Sequence, residues 1–207
     1  FNAIDNALFP AATDVVVDPA GVAAGTMTVS NEDGLVSIGG GGIAASSLTK
    51  TGTGTLVLSG TNAFTAGSTV SAGSLQLESD AALGTTTATF AGATLVAGSG
   101  ATAIATPLAA GTGGLTLENA ASVTLSKAVT AATDDTRFVK TGAGALVIGG
   151  GFGVQNTAPL ELDIADGDVT LQGSQKNVGG TSDWNGDVTL DGAILMLHGG
   201  TVTGTGT

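Results

Sequence analysis

The sequence predicts an all-β chain wound as a parallel β-solenoid, and three observations carry that prediction. Short apolar alternations return about every twenty residues: Leu56-Val57-Leu58 and Leu75-Gln76-Leu77 lie nineteen apart. The chain between them is almost wholly Gly, Thr, Ser, Ala and Asn, residues of turns and of strand surfaces. Part of the unit comes back ninety residues later, as Val139-Lys140-Thr141-Gly142-Ala143-Gly144-Ala145-Leu146-Val147-Ile148. A strand-turn unit repeated at a fixed short period is the signature of a stacked repeat.

Taken in order, residues 1–24 read as an irregular lead-in or capping segment. Pro10 and Pro19 punctuate them, and Val15-Val16-Val17 is their one apolar run. From residue 25 to 207 the pattern is that of solenoid repeats. Thr26-Met27-Thr28-Val29 and Leu35-Val36-Ser37-Ile38 alternate, which places every second side chain on one face. Gly39–Gly42 supplies a sharp turn. Leu56, Leu75, Leu95 and Leu115 follow at spacings of 19, 20 and 20 and are expected to stack. Residues 101–112 come nearest to a helix, but Pro107 breaks them. Val123-Thr124-Leu125, Leu146-Val147-Ile148 and Leu160–Ile164 continue the strands. GDVTL occurs twice, at 167–171 and 186–190, again nineteen apart. Ile194–Leu197 and Thr201-Val202-Thr203 close the chain.

At roughly twenty residues per coil and ~4.8 Å per coil, this predicts about ten coils in a rod near ~50 Å long. Its interior would be narrow, suited to Val, Leu, Ile and Ala and crowded by aromatics. A membrane barrel needs strands of about ten residues and aromatic girdles, whereas this chain has no Tyr and one Trp. A sandwich accepts short strands and Gly turns but calls for no fixed period.

Composition narrows the function. The 207 residues include 35 Gly and only 11% charged residues, and 42% are apolar, too many for a disordered chain. Five Lys and Arg face seventeen Asp and Glu, for a net charge of −12. No basic stripe exists to neutralise phosphates, which argues against nucleic acid, and an anionic membrane surface would be repelled. Zero Cys excludes disulfides and thiolate metal sites. No run of eighteen apolar residues offers a spanning helix, so no membrane insertion by a helix is expected. The N-terminus has no basic region followed by an apolar run, so an export signal would have to lie outside this chain.

The stretch from Leu48 to Leu77 resembles the autotransporter-associated β-strand repeat. Lys50, Gly52, Gly54, Thr55, Leu56, Leu58, Gly60, Asn62, Thr65, Gly67, Val70, Gly73, Leu75 and Leu77 match its pattern. Ala63, Phe64, Ala66 and Ser74 depart from it mildly. A partial second copy at 138–148 keeps the Lys-Thr-Gly-x-Gly half and loses the rest. The resemblance implies a right-handed parallel β-helix from a secreted or surface-displayed bacterial protein, serving as a passenger stalk and carrying no chemistry of its own.

Residues able to carry chemistry are few. Asp183, Asp187 and Asp191, with Asp166 and Asp168, could offer oxygen ligands to Ca²⁺. The glycine-rich calcium nonapeptide is absent, and solvated turns account for these acids better. Asp134, Asp135 and Arg137 near Lys140 suggest a loop salt bridge, or the groove of a glycan-active β-helix enzyme. Such a groove gathers more acids and bases, and a −12 surface repels a polyanionic glycan. His198 stands alone, which suits a surface or turn position. Lys50 and Lys140 read as outward-facing charges before a turn that discourage sideways sheet pairing. Trp184 reads as a loop hydrophobe over the core, with an exposed anchor for a sugar or partner as the alternative. Gly39–Gly42 and Gly149–Gly151 lack the Gly-Lys-Ser/Thr ending of a phosphate loop. No catalytic residue, cofactor or metal is assigned.

The expectation is a non-enzymatic, extracellular or cell-surface solenoid acting as stalk, adhesin or fibre component. Its expected partners are a host or cell-surface glycan or protein. The alternatives are a subunit polymerising head to tail through solenoid ends, with Thr201–Thr207 at the joint, and a glycan-active enzyme.

Overall fold

The computed structural model describes residues 5–133, 136–153, 160–173, 176–179, 182–191, 195–198 and 202–206. These residues hold strands and no helix. The chain winds so that each strand lies parallel on the equivalent strand of the previous coil, forming a β-solenoid with three faces. A first, eight-stranded sheet runs from Ala7–Phe9 to Val129–Ala131. A second, ten-stranded sheet runs the whole length, from Thr13–Val17 to Leu195–His198. A third, five-stranded sheet runs from Ala103–Ile104 to Val188–Asp191, while Ser182–Asp183, paired with Val202–Thr203, lies against Leu160–Ile164 of the second sheet.

Alternation in the sequence becomes columns in the core. On the second face Val36, Leu56, Leu75, Leu95 and Leu117 stand one above another, all buried. On the third face Ile104, Leu125, Ile148 and Leu171 do the same. Each such side chain contributes about 1.5–3 kcal/mol by leaving water. The two GDVTL segments stack on themselves, Val169 on Val188 and Leu171 on Leu190, as their spacing of nineteen requires.

Three expectations change. The complete circuits amount to about eight turns, fewer than ten. The coil is not a constant twenty residues: register steps lengthen from nineteen at Leu56–Leu75 to twenty-two at Leu95–Leu117 and twenty-four at Phe138–Leu162. For the same reason Leu95 stacks on Leu117, and Leu115 takes the place beneath Ala93. A two-residue insertion keeps the same side chains inward, so the core tolerates it. The interior also accepts aromatics. Phe64, Phe90, Phe138 and Phe152 are all buried, and Phe138 and Phe152 meet edge to face with ring centres 5.8 Å apart.

The cross-section changes along the rod. Val22–Val29 and Ile43–Lys50 are single eight-residue strands. In the next coil the same span is split into Ala63–Phe64 and Ser68–Val70, both lying on Ile43–Lys50. The turn between them ends at Gly67, whose φ of 95° suits a residue without Cβ. One coil further, residues 80–83 cross the third face as a turn and not as a strand. Leu83 still fills the core there. Strand pairing gives way to one backbone bond, from Asn62 N to Ala81 O at 3.1 Å, and to side chains: Asn62 Nδ2 donates to Ala82 O at 2.7 Å, and Thr106 Oγ1 donates to Gly84 O at 2.6 Å. Asp80 Oδ1 accepts from the amides of Thr102 and Ala103 at 2.7 and 2.8 Å.

Candidate functional site

Charged side chains inside this core are the feature that departs most from an apolar solenoid. Lys50, Lys140 and Lys176 are fully buried, which overturns the outward reading of Lys50 and Lys140. The reason is parity. Lys50 follows Leu48 by two residues in one strand, and Lys140 follows Phe138 by two, so each points the same way as a core residue. Lys50 occupies a column between Val29 and Val70. Lys140 occupies one between Leu117 and Ile164.

Each strand ends at its lysine or one residue later, and the chain then turns a corner through Thr-Gly-x-Gly. The four-carbon stem packs in the column while the ammonium reaches the carbonyls gathered under the turn. Lys50 Nζ donates to Gly52 O at 2.5 Å. Lys140 Nζ donates to Thr141 O at 2.8 Å, to Asp166 O at 3.0 Å and to Gly142 O. Lys176, which opens the strand Lys176–Gly179, donates to Gln172 O at 2.8 Å and to Gly150 O. Burial lowers the pKa of all three. Glu32 opposes that shift at Lys50, and Asp166 and Asp168 oppose it at Lys140.

The coil preceding each Lys-Thr-Gly-x-Gly corner holds a buried asparagine. Asn31 Nδ2 donates to Asp33 O and Gly34 O, both at 3.1 Å. Asn119 Nδ2 donates to Ala121 O at 2.7 Å and Ala145 O at 3.1 Å. The backbone closes the same way in both corners: Gly54 N donates to Asn31 O and Gly144 N to Asn119 O, each at 3.0 Å. A Cβ on Gly54 would lie 2.2 Å from Asn31 Nδ2, and one on Gly144 2.3 Å from Ala121 O. In both corners the asparagine Oδ1 is buried without a hydrogen-bond partner. The corner is therefore one module built twice, but on different edges of the rod. Around Lys50 it joins the first face to the second, and around Lys140 it joins the second to the third.

The other candidate residues do not converge. Arg137 points outward and pairs with Glu161 at 3.2 Å and Asp163 at 2.9 Å. Lys140 is on the opposite side of the same strand, so the two do not share a groove. Asp134 and Asp135 lie outside the described residues. Asp187 and Asp191 are exposed at the two ends of one rung of the third face, and Asp191 Oδ2 accepts from Gln172 Nε2 at 2.9 Å. Asp183 belongs to the two-stranded sheet, paired with Thr203, and its side chain lies outside the described residues. Among the described residues no three His, Cys, Asp or Glu side chains form a group able to hold a metal ion. His198 pairs through its backbone with Gly179, its side chain likewise outside the description. Trp184 is half-buried against the core, and its Nε1 donates to Leu162 O at 2.7 Å.

The sequence signal for the corners was present in the repeated Lys-Thr-Gly-x-Gly spacing. Asn31 and Asn119 carried no comparable signal, since no shared motif surrounds them.

Residues 48–77 match the family model of the passenger-associated-transport-repeat, a span that contains the first lysine corner and the coil after it. No curated protein and no solved structure matches the chain. The repeat and the β-solenoid together fit an exported, autotransporter-passenger-like protein, of the cell surface or beyond it, with a largely structural role.

Proposed function

We propose that this chain is the rod of a surface-displayed passenger, a non-enzymatic stalk or adhesin scaffold that holds a binding surface away from the cell. The observation that supports this reading is the position of the matched repeat. It sits inside a stack whose second sheet continues through ten strands, so the repeat is one segment of an extended rod. An epitope placed at the exposed corner Ala120–Ala121 of the full-length protein tests the reading. It should be stained on intact cells of the native host and removed by added protease. An epitope found only after cell lysis would overturn it.

A second reading, coil-on-coil self-association into a filament, is favoured by the surface at one end. An apolar cavity of about 280 Å³ opens there, lined by Phe9, Val15, Val17, Met27 and Ile38. Beside it Val16 is 87% exposed, and no described strand lies beyond the outer edge of Thr13–Val17. A parallel strand from a second copy would satisfy that edge. Electron microscopy should then show fibres repeating at one rod length, and sedimentation as monomers at high concentration would remove the idea.

A further inference from the structure

The first face presents a surface that neither reading uses. Register places Thr28, Thr49, Thr69 and Thr89 in one outward file, one per coil. Two residues upstream runs a second file. It starts with Thr26 beside Ser47 and continues through Gly67 and Thr87, which precede the paired residues Ser68 and Ala88. Over these four coils, seven of the eight positions in the two files carry a hydroxyl, the eighth being Gly67, buried at the end of a turn. Parallel strand geometry sets the grid at ~4.8 Å between coils and ~6.6 Å along a strand.

Three properties distinguish the array from ordinary strand surface. It carries no charge, and its flanks Leu8, Ala109 and Thr130 carry none either, in a chain of net charge −12. Among the described residues the hydroxyls of Thr28, Thr49, Thr69 and Thr89 have no hydrogen-bond partner; Thr69 is exposed and the other three are half-buried. Threonine is also stiff at χ1, so the methyl and hydroxyl of each rank are held in place before any contact forms.

A hydroxyl both donates and accepts, as water does. Methyl groups between hydroxyls leave neighbouring water to bond with itself. A grid periodic in two directions is matched in full only by a partner that is itself periodic, and a small soluble ligand would engage two or three positions. Charges, which hold their own hydration shells, have been kept off this face. We infer that the Thr26–Thr89 array is an adsorption surface for ordered water, that is, for the face of an ice crystal. The assignment goes beyond the stalk reading and does not depend on it, because the purified chain should bind ice whether or not it is displayed on a cell.

Slow freezing of the purified chain onto a chilled ice surface tests this, with a globular protein of similar size and acidity as reference. The chain should be enriched in the ice fraction relative to the reference. Thr69→Lys, which sets a hydrated charge in the middle of the grid, should bring it down to the reference level. Gln76→Lys, on the neighbouring face, should leave the enrichment unchanged. Thr49→Lys replaces Thr69→Lys if that variant melts below the parent. Exclusion from ice to the same degree as the reference would overturn the inference. So would an equal loss in Gln76→Lys, or retention on crystalline cellulose or chitin with none on ice.

Discussion

At the scale of single residues, the lysines decide how the corners hold. A charge inside a core is costly unless hydrogen-bonded, and here backbone carbonyls supply the bonds. Lys140→Met keeps the stem and removes the donor, leaving the carbonyls of Thr141, Gly142 and Asp166 short of a partner. We expect it to lower unfolding free energy by about 1–3 kcal/mol, read as a lower urea midpoint at unchanged slope. The pKa shifts give a second expectation. Burial holds the pKa of each of these lysines below the ordinary lysine value of 10.5 in the native state. Below that lowered value both states are protonated and stability is flat. Between it and 10.5 the unfolded chain holds more protons, so stability rises with pH, and above 10.5 it levels off. The chain has no Tyr or Cys to mask this window. The melting temperature should climb across it, more steeply than in a Lys50→Met, Lys140→Met double variant. Equal slopes would show that the lysines do not titrate as described. The inward direction of these lysines was legible in principle, because parity with Leu48 and Phe138 fixes it. A reading by residue type sends lysine outward, since an unpaired buried lysine is rare.

At the scale of elements, the strands were legible and their partners only partly so. Alternation located Leu56, Leu75 and Leu95 in one column, and the repeated GDVTL in another. It could not separate Leu115 from Leu117, because both face inward and only the length of the preceding loop chooses between them. Nor could it show that residues 80–83 turn where other coils run straight. The corner depends on close approach more than on strand propensity. A methyl on Gly144 would meet Ala121 O at 2.3 Å and Asn119 Nδ2 at 2.7 Å. Gly144→Ala should therefore destabilise the chain by about 1–3 kcal/mol. Gly149→Ala, whose added Cβ would find its nearest neighbour at 3.6 Å, should be neutral or stabilising by under ~1 kcal/mol. Thermal melts of the two variants compare them directly, and similar losses in both would show that backbone freedom, not crowding, governs the corner.

At the scale of the whole molecule, a rod of stacked coils has neighbours only above and below, so its stability is a sum of local terms. Removing residues 169–187 joins Gly167-Asp168 to Val188-Thr189-Leu190 and restores GDVTL across the junction. The column of Ile148 would then meet Leu190 in the place of Leu171. That variant should keep its β-sheet circular dichroism and shorten by one coil, ~4.8 Å, in solution scattering. Removing half as many residues turns the core pattern out of phase and should unfold the neighbouring coils. Tolerance of both deletions would argue against a continuous register. The same one-dimensional plan bears on the third face at residues 80–83, a turn one coil before the third sheet begins at Ala103–Ile104. There two walls carry an uninterrupted ladder, and the third is laced by the side chains of Asn62, Ser79, Asp80 and Thr106 with the single backbone bond from Asn62 N to Ala81 O. Such a rod is not equally stiff in every direction: pushed from the side, it bends first at this level and opens toward the laced wall, which sets the plane in which it can flex under flow.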